Sequence, residues 1–188
     1  MAITPVAFWF LRHGETAWNA QSLSQGSADI PLNARGVAQA EAAAKALTGR
    51  GIATIVHSPL ARARHTAEIV AQVLGLPLAE DEELRESCFG THEGQPMGEW
   101  FAEWVAGRFT PPGGEPFAAL SARAVGAVNR ALSSPPAVLI VGHGAFWRAI
   151  RGAIGLEVNV RTPNATPILA RPPQRGTGPW TLEVHALA

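Results

Sequence analysis

Three short apolar runs, each about as long as a β-strand, end in residues that carry a cation or an imidazole. Helical patterns separate the runs, and strands that alternate with helices form a mainly parallel sheet. In open sheets of this kind, ligands bind beyond the carboxyl ends of the strands. We therefore expect the side chains that follow the runs to converge at one edge of the sheet. The runs and the residues after them are 6–11 with Arg12-His13-Gly14, 52–56 with His57-Ser58-Pro59, and 137–141 with Gly142-His143-Gly144.

Amphipathic helices are predicted after each strand. The first begins at the cap Asn33 and ends before Gly49, and the second takes Ser58 as its cap and ends at Gly75. A third is predicted at about 117–132, and a fourth follows the last of the three strands. The expected fold class is α/β, a three-layer sandwich with a mainly parallel central sheet and helices on both faces.

The chain is expected to form a single domain over residues 1–188. Its 188 residues are 47% hydrophobic and 16% charged, which suits one compact core. Glycines and prolines interrupt the stretch 91–116, which we interpret as a lid-like insertion around a short amphipathic piece at 100–105. Two segments near the end of the chain, 166–170 and 181–187, are predicted to form edge strands.

Composition excludes several classes of partner and chemistry. The formal net charge is zero, so attraction to nucleic acid or to an anionic membrane is not expected. The single cysteine, Cys88, cannot form an intrachain disulfide or a cysteine zinc site. The first apolar stretch is too short to span a bilayer and runs into Arg12. A soluble cytoplasmic protein is the expectation, and the oligomeric state is left open.

The residue types at the strand ends suit phosphoryl transfer. A neutral imidazole can attack phosphorus, which makes His13 the candidate nucleophile. Arginine binds phosphate oxygens through its planar fork, and Arg12 and Arg62 are the candidates for that role. Arg62 falls in the first helical turn, from which its side chain tilts back toward the strand end. Nearby cations should keep His13 unprotonated, and His143 could donate a hydrogen bond to the transferring group.

Hydrolysis of an alkyl phosphate also needs a proton for the leaving oxygen and then a base for the attacking water. One carboxylic acid can serve in both steps. Glu86 is our candidate for this acid, with Glu93, Glu15 and Glu115 as alternatives.

Five sequence blocks, in order along the chain, resemble those of the histidine phosphatase superfamily in its phosphoglycerate mutase-like branch (branch 1). The blocks are Leu11-Arg12-His13-Gly14-Glu15-Thr16-Ala17-Trp18-Asn19, Ser58-Pro59-Leu60-Ala61-Arg62-Ala63, Glu86 with Phe89-Gly90, Gly113-Gly114-Glu115, and Gly142-His143-Gly144. The resemblance implies a phosphoglycerate mutase-like fold and a phosphatase that needs no metal or other cofactor.

The resemblance also implies roles for individual residues. His13 would become phosphorylated, and Glu86 would be the acid and base. The implied catalytic residues are His13, Glu86 and His143. The implied phosphate-binding residues are Arg12, Gly14, Asn19, Arg62 and Gly144.

Within the family, the short insertion favours a phosphatase over a mutase. The resemblance implies that mutases of the family are longer chains with extra basic residues in this insertion. In this chain, Arg108 is the only arginine or lysine between Gly90 and Pro116. The aromatic residues of the insertion suggest a partly apolar leaving group on a small phosphate ester. Arg123 and Arg148 are assigned to solvated helix faces.

Two other readings stay open. His13, His57 and His143 all follow strand ends and could hold a metal ion, although two nearby guanidinium groups would repel it. A non-catalytic module that binds a phosphorylated ligand would retain the arginines but would have no use for both His13 and Glu86. Structural hydrogen bonding is the expected role of His57 and His65.

Overall fold

A computed structural model describes residues 2–174 and 178–185. In that part of the chain, six strands form one sheet in the order β3-β2-β4-β1-β5-β6. The strands are β1 (Phe8–Arg12), β2 (Thr54–His57), β3 (Leu78–Glu80), β4 (Val138–Gly142), β5 (Pro167–Arg171) and β6 (Thr181–Val184). The pairs β1–β4, β2–β4 and β2–β3 are parallel, while β1–β5 and β5–β6 are antiparallel. The prediction of a mainly parallel sheet is confirmed.

Helices cover both faces of the sheet. They are α1 (Ala17–Ala20), α2 (Ala34–Leu47), α3 (Ala61–Leu74), α4 (Glu99–Val105), α5 (Phe117–Ala131) and α6 (Gly144–Ala153), with short 3-10 turns at Glu82–Leu84 and Gly90–His92. Within the described residues, no helix has both the length and the apolar character needed to cross a membrane.

Alternating side chains of the central strand β1 separate two apolar clusters. Phe8 and Phe10 pack in one cluster with buried residues of α5 and α6, whereas Trp9 and Leu11 pack in the other with α2 and α3. Successive side chains of a strand point to opposite faces, so a strand that is buried on both sides is continuously apolar. This confirms the three-layer sandwich.

Several predicted elements need correction. Ser58 does not cap α3, because that helix begins at Ala61, whose N–H donates instead to the Asp29 carboxylate at 2.7 Å. Strand β5 is not an edge strand, since it lies between β1 and β6. The edge strand β3 and the short helix α1 were not predicted, because neither carries a clear apolar period. Residues 186 and 187 of the predicted last strand lie outside the described residues.

The insertion predicted at 91–116 packs closely against the domain. Its helix α4 buries Phe101 and Trp104 in the cluster that contains Phe8 and Phe10, and the Trp104 indole N–H donates to the Glu115 carbonyl oxygen at 2.8 Å. The insertion therefore completes the core on the α5 and α6 side. It also extends to the carboxyl edge of the sheet, where Phe101 lines a pocket.

Candidate active site

The carboxyl ends of β1, β2 and β4 lie side by side. Arg12 is in register with Gly142, and His57 with Val141. His13 follows β1, and its backbone N–H donates to the Gly142 carbonyl oxygen at 3.0 Å. The His13 and His143 rings therefore meet with centroids 5.3 Å apart. The predicted convergence at one sheet edge is present in the structure.

Hydrogen bonding leaves one nitrogen of His13 free for chemistry. Nδ1 lies 2.7 Å from the Gly14 carbonyl oxygen, which can only accept, so Nδ1 carries the hydrogen and Nε2 carries the lone pair. Burial, with Arg62 and Arg12 nearby, holds the pKa of His13 well below its ordinary value. The ring is therefore neutral near pH 7, which is the protonation state that a nucleophile needs.

Two guanidinium groups flank this ring, that of Arg62 buried and that of Arg12 partly buried. Arg62 donates to the carbonyl oxygens of Ala28 and Gly26 at 2.7 and 2.8 Å, and Arg12 donates to that of Thr162 at 2.6 Å. Burial lowers the pKa of each arginine to about 10, so both remain cationic at neutral pH. In the part of the chain that the structure describes, the Nε of each is buried and has no partner. Each guanidinium is thus fixed by backbone carbonyls and keeps an unpaired donor.

His143 is fully buried beside His13, and a neighbouring hydroxyl lies within hydrogen-bonding distance of its ring. The Ser58 hydroxyl oxygen accepts from the Leu60 N–H at 3.3 Å and lies 2.7 Å from His143 Nε2. When the hydroxyl donates its hydrogen to Nε2, the ring hydrogen of His143 lies on Nδ1. Burial and the nearby Arg62 hold the pKa of His143 well below its ordinary value, and Nδ1 has no partner among the described residues. His143 is therefore a neutral ring, and its Nδ1 is a free donor when the Ser58 hydroxyl donates to Nε2.

Glu86 lies at the amino-terminal end of α6. Its carboxylate accepts from the N–H groups of Ala145 and Phe146 at 2.8 and 2.9 Å, at the helix end where negative charge is favoured. Of the residues that the structure describes, Glu86 is the only carboxylate that lines the pocket. This distinguishes it from the other three candidates. The Glu15 carboxylate pairs with Asn33 and Arg35, that of Glu93 accepts from Ser27 and Phe89, and that of Glu115 pairs with Arg123.

The remaining predicted phosphate ligands separate into two groups. Asn19 and Gly144 line the pocket together with Arg12, His13 and Arg62. Gly14 does not, because its N–H donates to Thr66 Oγ1 at 3.0 Å. The assignment of Gly14 as a phosphate ligand is therefore corrected: its backbone packs against α2, and its amide is already used.

Two arginines of the pocket were not identified as site residues from the sequence. Arg148 and Arg161 line the pocket with Arg12 and Arg62, so the assignment of Arg148 to a solvated helix face is wrong. Arg148 follows Gly144 by one helical turn, which returns its side chain toward the start of α6. That spacing could have indicated it, whereas Arg161 lies in an irregular loop with no such signal.

Other predicted polar residues have structural roles. Arg123 is not solvated as expected: it pairs with the Glu115 carboxylate at 2.7 Å and donates to the carbonyl oxygens of Glu83 and Arg85. The buried His57 uses Nδ1 to bond the Ser58 carbonyl oxygen at 2.8 Å. Across the described residues, no three His, Cys, Asp or Glu side chains gather as a metal site.

Comparison with known proteins identifies the family. The model of the histidine phosphatase superfamily (branch 1) matches residues 8–166. The chain belongs to this superfamily. Its sequence is 38% identical over 146 residues to an uncharacterized phosphatase, PhoE, of Bacillus subtilis (strain 168), covering 77% of this chain and 75% of that protein. It is 35% identical over 147 residues to a probable phosphoglycerate mutase, GpmB, of Yersinia pestis (strain Pestoides F), covering 72% and 68% of the two chains.

Solved histidine phosphatases share the fold over nearly the whole chain. A mycobacterial glucosyl-3-phosphoglycerate phosphatase matches with a TM-score of 0.78 at 30% identity, covering 95% of this chain and 97% of that one. A putative alpha-ribazole-5'-P phosphatase from Escherichia coli matches with a TM-score of 0.80 at 29% identity, covering 96% of each chain. The phosphoglycerate mutase-like fold expected from the sequence is confirmed.

Proposed function

We propose that this histidine phosphatase is a metal-independent phosphomonoesterase that hydrolyses a small phosphorylated metabolite through a phosphohistidine at His13. The observation that carries the proposal is the free Nε2 of a neutral His13 beside two guanidinium groups. An imidazole nucleophile and fixed cations are what phosphoryl transfer requires, because charge spreads over the phosphoryl oxygens as the leaving group departs.

In the first half-reaction, Nε2 of His13 attacks phosphorus and the bond from phosphorus to the ester oxygen breaks. Arg12, Arg62 and His143 Nδ1 donate to the phosphoryl oxygens, on which negative charge is spread. Glu86, in its protonated form, transfers its proton to the leaving oxygen, and the alcohol departs. The products are the free alcohol, a phosphorylated His13 and an ionised Glu86.

In the second half-reaction, water replaces the alcohol. The Glu86 carboxylate takes a proton from water as the water oxygen attacks phosphorus, and the P–N bond breaks. Inorganic phosphate leaves, His13 Nε2 recovers its lone pair, and Glu86 is protonated for the next cycle. Every proton in this scheme is carried by the chain's own side chains, so no metal-bound water is needed.

Related proteins support a small phosphate ester as substrate. Neighbours with the same fold are named for hydrolysis of glucosyl-3-phosphoglycerate and of alpha-ribazole-5'-P. We propose a substrate of comparable size and, because of the neutral net charge and the single cysteine, a cytoplasmic setting.

Phosphoglycerate mutase activity is the second candidate, and the GpmB relatives favour it. The insertion 91–116 argues against it. Its single arginine, Arg108, is bound to the Glu103 carboxylate at 2.7 and 2.8 Å. Its guanidinium is therefore already neutralised at the surface.

The proposal is tested by measuring phosphate release from a panel of phosphate esters in the presence of EDTA. Wild type and a His65→Ala control, altered on the exposed face of α3, should both release phosphate. His13→Ala should not. Label from a radiolabelled ester, trapped by an alkaline detergent quench and then shown to be base-stable and acid-labile, should appear in wild type and be absent in His13→Ala.

The alternatives give different results in this experiment. Activity that EDTA abolishes and a divalent cation restores would contradict metal independence. Phosphate transfer between two phosphoglycerates faster than release would favour the mutase. If the protein binds esters without hydrolysing them, and His13→Ala does not change this binding, the protein would be a non-catalytic binding module.

A further inference from the structure

The pocket carries more positive charge than a phosphoryl group requires. Four arginines line it, and Glu86 is the only carboxylate among its described lining residues. With Glu86 ionised, these lining residues carry three more positive than negative charges. A phosphate monoester dianion offsets two of them. The pocket therefore keeps a cation for a second negative group even with Glu86 ionised, and a stronger excess with Glu86 protonated. The four arginines are Arg12, Arg62, Arg148 and Arg161.

Arg148 lies beside Arg12 at the start of α6. A Cβ at Gly144 would lie 3.5 Å from Arg12 Nε and 3.6 Å from the Arg148 guanidinium, so Gly144 has these two cations as neighbours. The Arg148 guanidinium also lies 5.0 Å above the centre of the Phe101 ring. Arg148 is thus held between the start of α6 and the insertion.

Arg161 is presented by a loop that is tied to β1. Next to it, the Thr162 carbonyl oxygen accepts from Arg12 at 2.6 Å. Asn164 donates to the His13 carbonyl oxygen at 2.9 Å, and the Ala165 N–H donates to that of Arg12 at 2.9 Å. These bonds fix the loop beside the nucleophile, so the position of Arg161 at the pocket is part of the fold.

Both arginines are available to a ligand. Over residues 2–174 and 178–185, no carboxylate forms a salt bridge with either one. Among the described residues, Arg148 has only a long bond of 3.3 Å to the Gly144 carbonyl oxygen, and its buried Nε lacks a partner. Arg161 is exposed and makes no side-chain hydrogen bond to the described residues. Buried unpaired donors are costly, and an incoming oxyanion would satisfy them.

We propose that Arg148 and Arg161 bind a second oxyanion, a carboxylate or a further phosphate, carried by the leaving group of the ester. The proposal rests on the phosphatase activity proposed above. Phe89, Met97 and Phe101 line the same pocket and offer apolar contact to the carbon skeleton between the two anions. The substrate class is therefore a phosphate ester of a small organic acid or a small bisphosphate.

The test uses a matched series of esters. The three share a three-carbon chain: 3-hydroxypropyl phosphate ends in a neutral hydroxyl, 3-phosphooxypropanoate in a carboxylate, and propane-1,3-diyl bisphosphate in a second phosphate. For wild type, we expect kcat/KM for at least one anionic ester to exceed that for the neutral ester by about tenfold or more, the size of a charge-assisted hydrogen bond. The better anionic ester identifies the oxyanion.

Variants separate the two arginines from a general charge effect. Arg161→Gln and Arg148→Gln should each lower the ratio of anionic to neutral kcat/KM by about tenfold. Arg50→Gln removes a surface arginine near Trp9 and Leu169, among residues that do not line this pocket, and should leave the ratio unchanged. Because Arg161 is exposed, its variant keeps the test valid even if Arg148→Gln folds poorly.

Failure of this inference is distinguishable from failure of the proposed function. Suppose that the neutral ester is hydrolysed and that His13→Ala abolishes this activity. A wild-type ratio of anionic to neutral kcat/KM near one, or a ratio that both arginine variants leave unchanged, would then overturn the second anion site and leave the phosphatase in place. Absence of turnover of all three esters, and of the wider panel, would overturn both.

Discussion

Glu86 serves two parts of the molecule with one carboxylate. Its oxygens accept from the first free N–H groups of α6, and the same group lines the pocket beside His13. Helix ends leave such N–H groups unsatisfied, and α6 receives no side-chain hydrogen bond from its cap residue His143. Glu86 is therefore both the proposed proton carrier and the acceptor that caps the helix next to the phosphate site.

The first role predicts an effect that depends on the leaving group. Glu86→Gln cannot donate a carboxyl proton, so kcat/KM for an alkyl phosphate should fall by on the order of a hundredfold or more. An aryl phosphate with a nitro-substituted leaving group needs little protonation and should lose much less. Glu93→Gln, which alters a carboxylate outside the pocket, is the control. Equal losses for both ester types would contradict the assignment of Glu86 as the leaving-group acid.

At the scale of elements, the position of His13 depends on a contact between the loop after β1 and the start of α2. A Cβ on Gly14 would lie 2.3 Å from the Gly36 carbonyl oxygen, and one on Gly36 would lie 2.1 Å from that of Glu15. Both atoms belong to backbone, which cannot rotate away as a side chain can. The two segments therefore approach as closely as their backbones permit.

We predict opposite effects on stability for two glycine substitutions, one at this contact and one in α5, away from it. Gly36→Ala should lower the free energy of unfolding by about 1–3 kcal/mol, because α2 must shift away from the loop that carries His13. It should also reduce kcat/KM. Gly126→Ala lies inside α5, where the added methyl meets only the flexible end of Arg130 at 3.7 Å. That change should raise stability by about 0.5–1 kcal/mol.

Urea denaturation and steady-state assays on the two variants measure these effects. A Gly36→Ala protein with wild-type stability and activity would mean that the close approach does not position the nucleophile.

The elements that could be predicted from the sequence are those whose pattern is local. Buried strands β1, β2 and β4 are continuous apolar runs, and α2 and α3 have helical apolar spacing with Asn33 and Gly75 at their ends. Elements defined by distant partners could not be predicted. Strand β3 exists because its backbone pairs with β2, and α3 is capped by an aspartate 32 positions earlier in the chain.

The same distinction holds for the site across the whole molecule. His13 and His143 were found because the strands that carry them are evident, and Arg62 because its helical turn faces the same edge. Arg161 and the second use of Glu86 depend on where the insertion and the loop before β5 pack. Sequence periodicity carries no information on that packing, so the four arginines that line the pocket became visible together only in three dimensions.

The whole molecule should lose stability as the pH falls, because His13 and His143 are buried as neutral rings. Their pKa values are held well below the ordinary value by burial and by nearby arginines. Below a pH of about 6.5, the unfolded chain takes up protons at these two histidines and the folded chain does not. Stability that is present above this pH is therefore lost below it, by about 1.4 kcal/mol per histidine between pH 7.5 and 5.5.

Urea unfolding at several pH values tests this origin of the pH dependence. His13→Gln and His143→Gln should each reduce the fall in unfolding free energy by about 1.4 kcal/mol over that interval. His65→Gln, whose ring is exposed, should leave the fall unchanged. The slope is informative even when a variant differs from wild type in absolute stability, because only the number of protons taken up on unfolding enters it. A slope equal to that of wild type in both buried variants would mean that the two rings take up protons in the folded enzyme over the same interval as in the unfolded chain, and the conclusion that burial holds them neutral below pH 6.5 would have to be abandoned.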